Sequence, residues 1–287
     1  MGRAAIACLC LLLAGCQTAN DVARGSREAL ETWLVPDPEP WAVWRQRDDD
    51  STRRIDHGAW SALLRARMTR DGDGVNRLTY DKFSEADREK PDGYLRHLTV
   101  APIAELSGRE QLAYWINLYN ALVVRLVLTR YPVGSVRDID LSSQVLASGP
   151  WSRKLIKVRG RPLSLDDIEH RILRPLWRDA RVHYLLNKGA VGSPNLRPKA
   201  LTGENIDIML EGAAREFVNS PRAVRLDGGG LVVSKLFAWY ADDFGGGERA
   251  VLAHLRRYAV ADVAAELSRA RSIARYEFDW SLNEPRL

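Results

Sequence analysis

LAYWINLYNALVVRLV, residues 112–127, decides the fold of this 287-residue chain. Apolar side chains recur so often in it that they cover most of the circumference of a helix rather than one stripe. The helical pattern runs from about residue 108 to 131 and stops before Pro132, because proline breaks helices. The sequence therefore predicts a central buried helix around which the other elements pack.

Two asparagines interrupt this apolar surface. Asn117 and Asn120 lie three residues apart and share one face of the predicted helix. A buried amide without partners costs on the order of 1 to 3 kcal/mol, so both side chains need hydrogen bonds. The partner is either the backbone of a neighbouring loop or a polar site whose floor is this helix, and the pattern leaves both possibilities open.

The remaining elements predict an α+β fold: a helix-rich single domain with the central helix at 108–131 and a small antiparallel sheet. Helical periodicity marks six further segments: 57–69, 93–103, 164–174, 202–219, 234–243 and 248–270, the last broken near Val260. Alternating or β-rich patterns predict short strands at 75–80, 153–158, 223–227, 230–234 and 273–279. Three alternating prolines at residues 36–40 favour an extended spacer before this domain, which we assign to residues 51–287.

Ionisable side chains cluster in the predicted helix at 164–174. Ser164 caps it, and Glu169, His170 and Arg174 place a carboxylate, an imidazole and a guanidinium within two turns. Helical pairs of this kind are usually weak salt links at the surface. Alone they do not indicate a site.

A second histidine precedes a loop built from small residues. His183 lies in a short apolar element, and Lys188 and Ser193 flank a glycine-rich stretch that ends in a proline. Small residues and proline at this density indicate a shaped loop rather than a helix. Ser193 lacks the Gly-X-Ser-X-Gly pattern of a nucleophile elbow, and Lys188 can act as a base only if burial lowers its pKa.

The first sixteen residues resemble a bacterial lipoprotein signal. Arg3 precedes an apolar stretch at residues 4–14, which is too short to span a bilayer, and small residues lead to Cys16. On this interpretation residues 1–15 are removed as a signal peptide, Cys16 is acylated, and residues 16–50 form a lipidated tether and connecting segment. A plain secretory signal, or a wrongly assigned start, is the alternative.

Acylation of Cys16 predicts a cell-envelope protein that is held to a lipid membrane and faces the periplasm. Gln17 follows the cysteine, and the absence of aspartate there favours the outer over the inner membrane in bacteria that sort lipoproteins by this position. An envelope glycan, lipid or protein is the expected further partner.

Composition excludes several classes of protein. The three cysteines are Cys8, Cys10 and Cys16, so the domain has no thiol for a disulfide, a metal site or a nucleophile. The net charge of +5 is dispersed along the chain, which argues against a nucleic-acid partner. The acidic turn at 71–74 lacks the glycine and glutamate of an EF-hand loop, and the remaining histidines have no paired ligand spacing, so we predict neither metal nor cofactor.

Four sequence blocks in this order closely resemble the domain-of-unknown-function family 547. They are YWINLYNAL at 114–122, LDDIEH at 165–170 with Leu173 and Arg174, VHY at 182–184 with GSPNL at 192–196, and KLFAWYADDF at 235–244. The resemblance covers about residues 53–283 and implies one domain, but it implies no activity. Many relatives carry cysteine at the positions of Lys188 and Ser193, so a cysteine-hydrolase analogy does not transfer to this chain.

Two functions from different classes follow. The first is a non-catalytic binding or scaffolding lipoprotein, in which the polar residues stabilise the core. The alternative is a hydrolase or transferase acting on an envelope substrate. Its candidate groups are a general base at His183 or His170, an orienting Glu169, polarising Asn117 and Asn120, and Lys188 or Ser193 near the reacting group. Convergence of Asn117, Asn120, His170 and His183 on one open cleft would favour the enzyme, whereas a sealed and internally bonded cluster would favour binding.

Overall fold

In a computed structural model of the chain, residues 35–139, 149–270 and 272–285 are described. The chain divides into two compact units, Met1–Pro36 and Asp37–Leu287, and every helix and strand named below lies in the second. The proposed signal peptide and Cys16 lie outside the described residues.

Four described 3-10 helices have three residues each: Ala42–Trp44, Tyr80–Lys82, Ile103–Glu105 and Val136–Asp138. The other described helices range from four residues to 23 in the central one. In chain order they are α1 (Gly58–Arg67), α2 (Glu85–Thr99), α3 (Gly108–Arg130), a π-helix (Asp167–Leu173) continuing into α4 (Arg174–Trp177), a 3-10 helix (Ala180–Leu185), α5 (Ile206–Val218), α6 (Leu236–Trp239), α7 (Gly247–Tyr258) and α8 (Ala261–Arg269).

The long helix α3 is the predicted central helix. Ser107 caps it by accepting a hydrogen bond from the Glu110 backbone N–H, and almost all of its side chains are buried. Among the described residues, α3 alone is long and apolar enough to cross a membrane, and 89% of its apolar window is buried inside the fold. Burial on all sides is what its all-round apolar surface requires.

The strands form three small sheets at the periphery. They are β1 (Met68–Arg70) paired with β2 (Asn76–Leu78), β3 (Ile156–Val158) paired with β4 (Arg161–Leu163), and β5 (Val224–Asp227), β6 (Gly230–Ser234) and β7 (Ile273–Glu277) in one sheet. The helix-rich α+β class, the buried central helix and the small antiparallel sheets are therefore confirmed.

Two details of strand pairing differ from the sequence prediction. The hairpin β3–β4 forms its own two-stranded sheet rather than joining β5 and β6. Strand β7 lies parallel to β6, because α7 and α8 intervene between them and bring the chain back in the same direction. Period-2 patterning identifies strands, but it does not fix their partners.

Several helix boundaries also differ. Helix α2 begins at Glu85 rather than near residue 93, because Ser84 and Asp87 form a capping box and Pro91 is accommodated inside the helix. Helix α6 has only four residues of the ten predicted. The predicted break near Val260 is confirmed, since α7 ends at Tyr258 and α8 begins at Ala261.

The segment after β7 joins three distant parts of the chain. Leu282 donates to the Gly134 carbonyl, and Asn283 donates its backbone N–H to Gly189 and accepts from the Leu78 N–H. Val191 and Gly192 donate to this segment from the other side. The glycine-rich loop after Lys188 is thereby fixed in one conformation.

Candidate functional site

A group of seven ionisable side chains packs beside α3 and is called the charged cluster here. Its members come from the π-helix and α4, from the 3-10 helix and the loop after it, and from the turn after α6: Asp166, Glu169, His170, Arg174, His183, Lys188 and Asp243. Sequence positions up to 77 residues apart thus meet at one place. The π-helix adds one residue per turn, and such helices often accompany functional sites.

Glu169 and Lys188 form the innermost ion pair. The Lys188 Nζ lies 2.7 Å from Glu169 Oε2, and the two side chains are 10% and 3% exposed. The Tyr119 hydroxyl donates to the same carboxylate oxygen at 3.2 Å. Burial acts to raise the pKa of Glu169, but the Lys188 ammonium together with His183 and His170 outweighs it, so the pKa lies well below its usual range.

Three aromatic rings surround the Lys188 ammonium. Its Nζ lies 5.6 to 5.7 Å from the ring centres of Tyr119, Trp151 and Tyr240. Aromatic faces attract cations, and the attraction strengthens where water is excluded. The lysine is therefore held by one carboxylate and three rings.

His183 is held by a second carboxylate. Its Nε2 donates to Asp243 Oδ2 at 2.7 Å, and its ring stacks on Tyr240 with 3.9 Å between centres. Arg174 binds both oxygens of Asp243, at 2.6 and 3.1 Å. Burial acts to raise the pKa of Asp243, but hydrogen bonds from His183 and Arg174 prevail and lower it to about 2.

One contact in the cluster is incomplete. His183 Nδ1 and Glu169 Oε1 lie 3.6 Å apart, and both atoms are buried without a hydrogen-bond partner among the described residues. They face each other, and a gap of this size admits no substrate atom between them. A small approach of the two side chains would complete the hydrogen bond.

His170 and Asp166 lie at the edge of the cluster. His170 Nδ1 accepts from Arg174 Nη1 at 2.9 Å, and its Nε2 lies 3.8 Å from Asp166. Burial lowers the pKa of His170 to about 3, so the ring is neutral. Burial, with the Glu169 charge, raises the pKa of Asp166 to about 7 although its side chain is 30% exposed.

The two asparagines of α3 bind backbone groups instead. Asn117 donates to the Leu201 carbonyl at 2.8 Å and accepts from the Leu201 N–H at 3.1 Å. Asn120 donates to Leu185 at 2.8 Å and accepts from the Asn187 N–H at 2.9 Å. Both amides are saturated by neighbouring chain segments, which leaves neither positioned to polarise a substrate.

Ser193 also has a backbone role. Its Oγ accepts from the Lys188 N–H at 3.1 Å, and the residue is buried. The structure thus brings Glu169, His170, His183 and Lys188 together. Asn117 is occupied by another segment of the chain. Asn120 supports the backbone before Lys188, and Ser193 accepts from the N–H of Lys188 itself.

Sequence reasoning missed four contributors to the site: Tyr119, Asp166, Tyr240 and Asp243. Asp166, His170 and Arg174 are spaced four residues apart, which indicates a shared helical face. This spacing could have identified Asp166 as part of the site. Tyr119 was assigned to the core, and Asp243 lies in a block recognised only by resemblance. No pattern in one sequence joins a tyrosine on α3 to the turn after α6.

Metal-ligating groups are not assembled anywhere in the part of the chain that the structure describes. No three histidine, cysteine or carboxylate side chains are placed to hold a metal ion within 35–139, 149–270 and 272–285. In the acidic turn, Asp71 and Asp73 pair with Arg77 instead.

Comparison with known proteins identifies a family but no function. Residues 103–218 match the family model described as "Protein of unknown function, DUF547". No curated protein and no solved structure gave a significant match. The matched segment begins just before α3 and ends with α5, so it contains the central helix, Glu169, His183 and Lys188. Over this segment the chain is similar to the DUF547 family of proteins of unknown function.

Proposed function

We propose that this protein is an envelope lipoprotein whose domain binds a partner without transforming it chemically. One observation carries the proposal: the side chains best suited to catalysis are paired with each other inside the domain. Glu169 is neutralised by Lys188, His183 is held by Asp243, and Ser193 supports a backbone N–H. A catalytic base must reach a proton of its substrate, and an imidazole that is 1% exposed does not.

The charges of the two closest ion pairs in the cluster balance. Two carboxylates, Glu169 and Asp243, face two cations, Lys188 and Arg174, at hydrogen-bonding distance. Buried charges that are paired and hydrogen-bonded fix the relative positions of the elements that carry them. The cluster therefore joins the π-helix, the loop after the 3-10 helix and the turn after α6.

The test is incubation of the purified protein with isolated peptidoglycan sacculi and envelope lipid, followed by mass spectrometry of released products. We expect no product. Release that is lost in His183→Ala but kept in His254→Ala would overturn the proposal. His254 is a matched control, because it is a histidine bonded to Tyr184 at 2.8 Å outside the charged cluster.

One observation favours the alternative, a hydrolase or transferase. Asp166 combines partial exposure with a pKa raised to about 7, which suits a general acid or base at neutral pH. If the protein turns over an envelope substrate, Asp166→Asn should abolish the limb of the pH–rate profile near pH 7. A turnover that Asp166→Asn does not alter excludes Asp166 from that role.

Membrane attachment through Cys16 is the second part of the proposal, supported by Leu13-Ala14-Gly15-Cys16 after an apolar stretch. Cys16→Ser should abolish labelling by a fatty-acid analogue and release the protein from the membrane fraction. Cys10→Ser, a change in the segment to be removed, is the matched control and should behave as wild type. Retention of a cleaved Cys16→Ser protein in the membrane would contradict lipid anchoring.

A further inference from the structure

Four aromatic side chains form one continuous patch on the outside of the charged cluster. They come from three segments and are defined here as the aromatic patch: Trp151, Trp239, Phe278 and Trp280. Adjacent ring centres lie 4.6 Å apart for Phe278 and Trp280, 5.0 Å for Trp239 and Phe278, and 6.1 Å for Trp151 and Trp280. All four residues are half-buried. The patch is therefore not part of the buried core, and its members are not isolated surface residues.

Each of the four residues keeps part of its surface exposed. Within the patch they are tilted by 39° to 53° to each other rather than stacked. By contrast, the exposed large apolar residues elsewhere in the described chain, such as Val100 and Ile208, are isolated along the sequence. Tilted, partly solvated rings that are held side by side offer several faces to one extended ligand.

The backbone beneath the patch is fixed. Gly192 donates to the Asp279 carbonyl at 2.8 Å, and Lys235 donates to Glu277 at 2.9 Å, so the segment carrying Phe278 and Trp280 is bound on both sides. A Cβ at Gly192 would lie 2.7 Å from the Asp279 nitrogen, so only glycine permits this approach. A binding surface fixed in advance loses less entropy on association.

Polar side chains alternate with the rings. Asp279 and Ser281 are exposed on either side of Trp280, and the Arg137 guanidinium lies 5.1 Å from the Trp280 ring centre. An exposed carboxylate next to Phe278 and Trp280 in the chain opposes insertion of this segment into the apolar part of a bilayer. Aromatic rings with a guanidinium beside them suit a sugar, whose polarised C–H groups pack on aromatic faces while its hydroxyls accept hydrogen bonds from the guanidinium.

We propose that the aromatic patch binds a glycan chain, with its sugar rings packed on Trp239 and Trp280. This inference rests on the proposed binding function and names its ligand class. A row of rings fits adjoining sugar units of an oligosaccharide better than one small molecule. Binding of a glycan would place the domain on the sugar polymer of the envelope while the tether reaches the membrane.

The test uses the β-1,4-linked tetramer of N-acetylglucosamine and, for comparison, maltotetraose. Full-length protein is titrated by calorimetry and by tryptophan fluorescence. We expect saturable binding of at least one tetramer, weakened roughly tenfold by Trp239→Ala or Trp280→Ala, since one ring contact is worth about 1.4 kcal/mol. Trp239→Phe should recover part of the loss, which separates ring packing from misfolding.

Trp41→Ala is the matched control. Trp41 is a half-buried tryptophan that packs against Arg171 and makes no ring contact with the patch, so this variant should bind as wild type does. Absence of saturable binding by the folded wild type to both tetramers, or equal binding by Trp239→Ala, would overturn the inference.

Other occupants give distinct results. Binding to phosphatidylglycerol vesicles that requires Trp239, with no sugar binding, would assign the patch to a membrane surface and overturn the inference. Dimerisation that requires Trp239, again without sugar binding, would assign the aromatic patch to contact with a second copy of the chain. This result would also overturn the inference. Mass spectrometry of the bound tetramer distinguishes the glycan-binding proposal from the proposed non-catalytic function. An intact sugar supports both proposals. A cleaved sugar contradicts the non-catalytic function but not glycan binding.

Discussion

The two polar regions beside α3 are built on different principles. On one side, the neutral Asn117 amide bonds to the His57 ring and to the Leu201 backbone. On the other side, the charged cluster pairs full charges, among them Glu169 with Lys188 at 2.7 Å. Both regions are buried, but only the second contains groups whose loss leaves an unpaired charge.

The comparison shows how one helix supports two kinds of polar contact. On burial, a side-chain amide and the backbone groups beside it lose their hydrogen bonds to water. Bonding to each other replaces these hydrogen bonds, and the amide carries no net charge. An ion pair must overcome the desolvation of two charges, so its net contribution is small while the cost of breaking it is large. The neutral region specifies structure, whereas the charged cluster is sensitive to any change in one partner.

Glu169→Gln should produce the largest effect, because it leaves the Lys188 ammonium buried without its counter-charge. We expect a loss of about 3 to 5 kcal/mol in the free energy of unfolding, measured by urea denaturation. The double variant Glu169→Gln with Lys188→Met should recover most of it. A double variant no more stable than the single would show that the pair is not coupled. Lys90→Met removes an exposed partner of Asp87 and should change little.

Asn117→Ala should rank second. It leaves both the N–H and the carbonyl of Leu201 without their partners in the interior. We expect a loss of about 2 to 3 kcal/mol in the free energy of unfolding. Since no ionisable group is removed, the loss should be the same at pH 6 and pH 8. A loss below about 0.5 kcal/mol would indicate that water replaces the amide.

His57 should make the neutral region sensitive to acid. Burial lowers its pKa from 6.5 to about 4, so the stability due to its neutral form is present above pH 6.5 and lost as pH falls to 4. In His57→Gln, the loss of unfolding free energy between pH 7 and 4 should shrink by about 2 kcal/mol. An unchanged pH dependence in urea denaturation would contradict this. The half-buried His254 remains in both proteins and contributes equally.

Asp166 should give the charged cluster the opposite pH dependence, with the smallest effect. Its pKa is raised from 3.8 to about 7, so its contribution is fully present below pH 3.8 and is lost as pH rises through 7. Asp166→Asn should therefore be more stable than wild type at pH 8, by about 1 kcal/mol after allowance for solvent screening. Glu89→Gln, at an exposed carboxyl on α2, is the control. Equal stability of Asp166→Asn and wild type at pH 8 would refute the expectation.

Sequence patterns predicted the parts of the fold that depend on local periodicity. The all-round apolar surface of residues 112–127 predicted the central helix, and the β-rich patterns at 223–227 and 230–234 predicted β5 and β6, which Gly228 and Gly229, both with positive φ, connect. The parallel pairing of β7 with β6 was missed because it depends on how two helices return the chain. For the same reason Asp243 could not be placed beside His183, since 60 residues and four elements separate them.

The segment 281–283 comes after every element that it joins in chain order. Its hydrogen bonds to Leu78, Gly134 and Gly189 can form only once the whole domain has left the ribosome. Until then the loop that carries Lys188 lacks the hydrogen bonds that fix one of its sides. The backbone around the charged cluster is therefore completed by residues that are translated after every helix of the domain.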